Sequence, residues 1–240
     1  MMGNLRVLVI GATGGIGRRV ATALSGPGKE VFVHGRVEDD RLEAVLREIE
    51  AAGGRAEKVI RPIDRADDIV REVDALLPLD VVVVSFGPML RAAVTDTGIE
   101  DWRRMAELNF VMPAAIVSRC LPSMQERNFG RVLLFGGTGT DRIRGFSTIA
   151  AYSAAKTALG TVVKSAARQV AGYDVCVNAL CPGFVDTEYY SEHERDRARQ
   201  SAPGSRMLDP EEVARAAVHL LSPENRSISG AVVPIDGGLA

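Results

Sequence analysis

The sequence predicts an α/β fold: a doubly wound parallel sheet of seven strands with helices on both faces. Three observations predict it. Seven short runs rich in β-branched residues alternate with longer segments of helical spacing, the pattern of strand–helix–strand units. The clearest runs are apolar at nearly every position rather than at every second one, as in strands covered on both faces. The first run ends in a glycine-rich turn that leads straight into a helical segment. Parallel strands joined in this way take right-handed crossovers.

In chain order, Leu5 to Ile10 is nearly all apolar and reads as the first buried strand. After the glycines, Ile16 to Leu24 has helical spacing, and Val31-Phe32-Val33 is a second strand. Glu38 to Ala52 is an amphipathic helix ended by Gly53-Gly54, the residue type that tolerates the left-handed turn closing a helix. Ala56 to Ile60 is a third strand, Asp67 to Leu77 a helix, and Asp80 to Val84 a strand with four valines in a row. A long helical region runs from about Glu100 to Gln125, followed by a strand over Arg131 to Phe135, a helix over Ala150 to Val170 and a strand over Val175 to Leu180. Asp209-Pro210-Glu211-Glu212 opens a further helix: Asp caps it, Pro suits its first position, and the acids face the positive end of its dipole. Ala231 to Ile235 is the last strand. Thr187 to Arg206 is polar and irregular, long enough for a connection to suggest a lid or a mobile segment.

Composition narrows the function classes. The chain has 240 residues, 46% hydrophobic and 25% charged, an ordinary globular balance that excludes disorder and low-complexity assembly. One domain over residues 1–240 can bury a full core. With 29 basic against 31 acidic residues and a net charge of −2, no basic surplus points to nucleic acid. No apolar run approaches the ~20 residues that cross a bilayer. The first apolar run follows no cationic segment and leads into glycines, so it is not read as a secretion signal. A cytoplasmic location is therefore expected, with Cys120, Cys176 and Cys181 reduced. Cys176 and Cys181 have no histidine nearby, and no metal site is expected.

Three motifs carry chemistry. Gly11-Ala12-Thr13-Gly14-Gly15-Ile16-Gly17 lies between the first strand and the first helix. Glycines there let the backbone turn sharply and approach a pyrophosphate, which rests on the helix N-terminus. His34-Gly35-Arg36 stands about twenty residues on, at the end of the second strand. A site for NAD usually has an acid there for the ribose 2′-hydroxyl; the planar fork of Arg36 suits a 2′-phosphate instead. This favours NADP (as NADPH) over NAD. Glu38-Asp39-Asp40 close behind is the counter-signal, although these acids also suit the start of a helix. Tyr152 and Lys156 stand at i and i+4 on one helix face. A tyrosine hydroxyl of pKa about 10 is a poor acid or base at neutral pH. A neighbouring ammonium stabilises its phenolate and lowers that value. Such a pair can exchange a proton with a carbonyl oxygen while a nicotinamide carries the hydride. The chain has only four lysines, so the pairing is not cheaply met by chance.

With these motifs the chain resembles the short-chain dehydrogenase/reductase family, of the compact single-domain Rossmann type, over essentially Leu5 to Gly238. The resemblance implies a dinucleotide fingerprint at Gly11, Thr13, Gly15, Ile16 and Gly17, and an adenine contact at Asp64 with Ile63 before it. It also implies cofactor contact at Gly87 and a helix asparagine, Asn109, that holds a water in a proton relay. Tyr152 and Lys156 match the catalytic pair, and Lys156 is also expected to bond the nicotinamide ribose. Asn178 to Gly183 followed by Thr187 matches the segment beside the nicotinamide. There Pro182, Gly183 and Val185 line the cofactor and Thr187 reaches its carboxamide. Ile228-Ser229-Gly230 and Asp236-Gly237-Gly238 match the family's C-terminal end. The family forms dimers and tetramers. That agrees with the helix from Ala150 to Ala171, whose Ala, Ser, Thr and Gly on all sides leave a face in need of a partner.

Two departures stand out. The family's Asn-Asn-Ala-Gly after the fourth strand reads Val84-Ser85-Phe86-Gly87, which touches packing or cofactor affinity rather than chemistry. The catalytic serine's place falls on Gly137, and no serine lies between Gly130 and Phe146. Thr138 is the first candidate for its role and Thr140 the second; a loop with no hydroxyl donor is the third case. The expected function is NADP-dependent interconversion of a small ketone or aldehyde and an alcohol. The alternatives are a non-catalytic NADP-binding scaffold, or an isomerase or lyase of the same fold.

Overall fold

The computed structural model describes residues 4–239; the first three residues and the last of the span expected as one domain lie outside that range. The seven strands are β1 (Leu5–Ile10), β2 (Lys29–Gly35), β3 (Arg55–Ile60), β4 (Val81–Val84), β5 (Gly130–Phe135), β6 (Val175–Pro182) and β7 (Val232–Ile235). They form one sheet in the order β3-β2-β1-β4-β5-β6-β7, and every neighbouring pair is parallel. The helices are α1 (Gly15–Ala23), α2 (Asp40–Ala51), α3 (Ala66–Leu76), α4 (Ile99–Ala106), α5 (Met112–Glu126), α6 (Ala150–Gln169), α7 (Glu192–Ser201) and α8 (Pro210–Leu221).

The apolar runs account for the two-sided sheet. In β4, Val82 and Val84 join a core with Ile69 of α3, Ile116 of α5 and Leu159 of α6. Val81 and Val83 join the opposite core with Val20 of α1, Leu42 of α2 and Val213 of α8. Because successive side chains of a strand point to opposite faces, a strand buried on both must be apolar throughout. One polar side chain is fully enclosed at the N-terminal end of the sheet. Arg131, 0% exposed, donates to the carbonyls of Asp174 (2.8 Å), Ser222 (3.0 Å) and Pro223 (2.9 Å) and to Asp174 Oδ1 (2.8 Å).

Three elements differ from expectation. The helix expected over Glu100 to Gln125 is divided by a π turn at Glu107–Val111, and Asn109 lies inside it. The polar stretch from Thr187 to Arg206 contains α7, opened by a capping box in which Ser191 and Glu194 satisfy each other's backbone N–H groups. Within this chain α6 is not buried all round: Ala154, Thr161 and Ser165 are exposed along one side.

Candidate active site

In the sheet order β1 lies between β2 and β4, so the connections leaving β1 and β4 diverge to opposite faces and open a crevice at the strands' C-terminal ends. A cavity of about 720 Å³ lies there. It brings together nearly all the residues singled out from the sequence. Gly11, Thr13, Gly15, Ile16 and Gly17 form its floor. Arg36, Ile63 and Asp64 line one end, and Gly87 lies beside Lys156 toward the other. Tyr152, Lys156, Thr138, Pro182, Gly183, Val185 and Thr187 line the other. Asn109 is wholly buried just behind this second end.

The floor is built by close backbone approach. Gly11 has φ +79°, and a Cβ there would stand 3.0 Å from the Phe86 nitrogen. A Cβ on Gly17 would overlap the Gly11 carbonyl oxygen and lie 2.5 Å from Ser85 Oγ. Ser85 Oγ donates to Ile10 O at 2.8 Å. The departure at Val84-Ser85-Phe86-Gly87 therefore still supports the glycine turn, through one hydroxyl and one aromatic residue. His34, 2% exposed, adds a contact that sequence reasoning missed. Its Nε2 lies 2.8 Å from Arg61 O, an atom that only accepts, so Nε2 carries the hydrogen and Nδ1 accepts the Gly11 N–H at 3.2 Å. Burial lowers the His34 pKa, which keeps the ring neutral for this double role. A histidine directly after an apolar strand run was the only available signal.

The acids that competed with Arg36 are occupied elsewhere. Glu38 pairs with Lys58, Asp39 caps α2 by accepting the Leu42 N–H at 3.0 Å, and Asp40 is the first residue of that helix. Arg61 lines the same end of the cavity as Arg36 and was not foreseen. Arg104 Nη2 stands 3.7 Å from Asp64 Oδ1.

At the other end Lys156 Nζ donates to Phe135 O at 2.8 Å, and burial pushes its pKa down to about 8. Tyr152 is pushed up to about 12, again by burial. This corrects the expectation of a lowered tyrosine pKa: enclosure outweighs the ammonium, which is directed at a carbonyl. Gly87 keeps a small space open, since a Cβ there would stand 2.6 Å from Lys156 Nζ and overlap Asn109 Oδ1. Asn109 Nδ2 donates to Pro88 O at 3.0 Å. Its Oδ1 is the one buried side-chain polar atom without a partner among the described residues. A buried acceptor left free costs about 1–3 kcal/mol, and this one faces the same space as the lysine.

The serine position is held by a glycine that a side chain could not replace in place: a Cβ on Gly137 would meet the Tyr152 hydroxyl at 2.7 Å. Thr138 lines the cavity, but its Oγ1 donates to Pro182 O at 3.2 Å. Thr140 is 2% exposed, and its Oγ1 accepts the Gly137 N–H (2.8 Å) and donates to Gly137 O (2.9 Å). Thr138, the first candidate for the serine's role, is thus turned to a backbone carbonyl, and Thr140, the second, to its own loop. Thr138→Val should change kcat by less than about tenfold, well short of the roughly 10²–10³ lost with a donor to a developing oxyanion.

Residues 11–240 match the protein family described as Enoyl-(Acyl carrier protein) reductase. The chain is 30% identical to a 3-oxoacyl-[acyl-carrier-protein] reductase of Synechocystis, over 97% of this chain and 95% of that one. It is 25% identical to a 2-dehydro-3-deoxy-D-gluconate 5-dehydrogenase of Formosa agariphila, over 97% and 91%. Among solved structures it is similar to a 3-oxoacyl (acyl-carrier-protein) reductase of Agrobacterium tumefaciens with NADP bound. That match has a TM-score of 0.88 and 28% identity, over 98% of this chain and 94% of that one.

Proposed function

Because the chain belongs to the short-chain dehydrogenase/reductase family, we propose that it is an NADP-dependent oxidoreductase that interconverts a small ketone or aldehyde and the corresponding alcohol. One observation carries the reading. A single cavity has a glycine turn as its floor, an arginine free of competing acids at one end, and the Tyr152–Lys156–Asn109 group at the other. The site fits a dinucleotide: the glycines leave room for phosphates against the α1 N-terminus, and Arg36 offers a fork for a 2′-phosphate. Lys156 would hold the nicotinamide ribose, with Pro182, Gly183, Val185 and Thr187 beside the ring. When bound, the nicotinamide supplies or accepts the hydride.

The chain's own residues manage the proton. In reduction the Tyr152 hydroxyl gives its proton to the carbonyl oxygen; in oxidation the tyrosine takes one from the alcohol. Lys156 and the free Asn109 Oδ1 flank the space from which a water would return the proton. Gly137 carries no hydroxyl, and Thr138 and Thr140 are engaged with backbone groups, so among the described residues Tyr152 is left as the donor to that oxygen. The same feature favours the second reading, a scaffold that binds NADP without turnover. Retention of the buried Tyr–Lys–Asn group is what that reading leaves unexplained. We further assign the chain to the cytoplasm as one domain over residues 1–240. It assembles as a dimer or tetramer through the exposed small-residue side of α6. Among the described residues no helix is long and apolar enough to cross a membrane.

Arg36→Ala tests the cofactor assignment. Loss of a charge-assisted contact of about 1.5–3 kcal/mol should weaken NADPH by on the order of 10–100-fold and leave NADH nearly unchanged, as read by fluorescence titration. Equal losses for both would remove Arg36 from the 2′-phosphate. The pH–rate profiles test the proton assignment. With the Tyr152 pKa at about 12, its proton is in place throughout the neutral range. Carbonyl reduction should therefore be flat at neutral pH and fall above about 8, as Lys156 loses its charge. Alcohol oxidation needs the tyrosine deprotonated and should climb as pH rises. A reduction rate that rises through pH 8 would contradict these roles.

A further inference from the structure

The segment between β6 and α7 meets the glycine turn across the cavity. We propose that Glu188 sets the affinity for the dinucleotide: its carboxylate occupies the N-terminus of α1 and has to leave before cofactor phosphates can bind there. The proposal rests on reading the cavity as a dinucleotide site.

Glu188 Oε1 accepts the Gly15 N–H at 2.9 Å, across 173 residues of sequence. Gly15 is the first residue of α1. That helix has no acidic residue in its first turn, and its cap, Gly14, has no side chain to offer. The positive end of the helix dipole and its unpaired N–H groups would otherwise face the cavity. A side-chain carboxylate from the segment after β6 answers one of them, the Gly15 N–H, in the place where this fold rests a phosphate. Tyr189 closes over the same spot: a Cβ on Gly15 would stand 3.0 Å from Tyr189 Cε2. A Cβ on Gly14 would overlap both Glu188 Oε1 and the Tyr189 hydroxyl. Gly14 thus admits the carboxylate as well as any phosphate.

The base of the segment is anchored. The Asp186 N–H is bonded to Leu208 O at 2.9 Å. Arg195 donates to Asp186 Oδ1 at 2.7 Å and to Thr187 O at 3.3 Å. On the far side Ser191 caps α7. Only the short stretch from Glu188 to Tyr190 has to swing. A carboxylate and a pyrophosphate cannot accept from the same N–H groups, and both are anionic. The form able to bind cofactor is therefore only a fraction of the population, and observed affinity is reduced by that fraction. Displacement also carries Tyr189 away from the glycine turn, which couples cofactor entry to the position of an aromatic residue at the cavity wall.

The test is Glu188→Gln, which keeps the shape and removes the charge. NADPH binding to the native and variant proteins is titrated by fluorescence, beside adenosine 2′-monophosphate, which carries the 2′-phosphate without the pyrophosphate. Exchange of a charge-assisted hydrogen bond for a neutral one should tighten NADPH by about tenfold. The adenosine 2′-monophosphate affinity should not change. Glu188→Ala should tighten NADPH at least as much as Gln. Unchanged or weaker NADPH binding in both variants, with the native protein binding normally, would overturn the proposal. So would equal tightening of the fragment, because the effect would then be general electrostatics. Failure of the native protein and both variants to bind NADPH or NADH would instead overturn the dinucleotide reading, and this proposal with it.

Discussion

Tyr152→Phe is expected to lower turnover by roughly 10²–10⁴-fold, the contribution of a positioned general acid, while NADPH affinity stays as it is. The ring packs beside Met105 and Ala151, and phenylalanine keeps that packing, so the only loss is the hydroxyl. The family pattern that the sequence resembles implies a serine hydroxyl that shares the developing charge. Here Gly137 stands at that place and lies so close that its Cβ would meet the Tyr152 hydroxyl at 2.7 Å. Without a second donor the variant has nothing to fall back on. Steady-state kcat beside a cofactor titration checks this. A variant that turns over near the native rate would move the acid role to another group. A variant that loses cofactor binding as well would mean the substitution had disturbed the cavity itself.

The largest effect on stability is expected at the other end of the sheet. Arg131→Met removes a guanidinium that is 0% exposed. The loss leaves the Pro223 carbonyl without its donor and takes one donor each from the Asp174 and Ser222 carbonyls, which keep the Gly130 and Asn225 N–H groups. It also takes from Asp174 its buried partner, leaving the looser contact with Arg226 at 3.4 Å. Removing one side of a buried ion pair costs about 3–5 kcal/mol. In a chain of this size that lowers Tm by on the order of 10 °C. Arg131 also lies over the Phe129 ring, 4.7 Å from its centroid, and methionine recovers part of that packing. Because Arg131 is near the start of β5 and the cavity is lined from its last residue, Phe135, the folded variant should bind NADPH like the native protein well below its Tm. A Tm unchanged within about 2 °C would show that these contacts only balance the cost of burying the charge.

The sheet was legible in the sequence because its strands are covered on both faces: a run such as Val81–Val84 has no other stable place in a chain of this composition. The glycine turn and the Tyr152–Lys156 pair were legible for a related reason. Each lies within a few residues of a strand end or along one helix face, so local spacing specifies where the side chains go. What escaped the sequence depends on contacts between distant segments. The direction of the Thr138 hydroxyl is decided by the Pro182 carbonyl, 44 residues away. His34 has a role only because the glycine turn and the Arg61 carbonyl flank it. The π turn that carries Asn109 has no compositional mark in Glu107–Val111. An arginine at the start of a strand reads as a solvated end, yet Arg131 is enclosed by loops from two other parts of the chain. The tyrosine pKa was misjudged because proximity to a lysine is visible in a helix pattern, whereas burial, the stronger influence here, is not.

The proposed reaction moves a hydride and a proton between NADPH and a carbonyl compound, with Tyr152 as the donor among the described residues. The most direct measurement follows NADPH absorbance with the native protein over a panel of ketones and aldehydes that includes 3-oxoacyl thioesters and keto sugar acids, with the alcohol quantified in the same samples. At least one carbonyl compound should be consumed with one NADPH oxidised per alcohol formed, and Tyr152→Phe should give no such conversion on the same compound. NADPH bound by the native protein but left unoxidised across the whole panel, or equal conversion by the Phe variant, would contradict it.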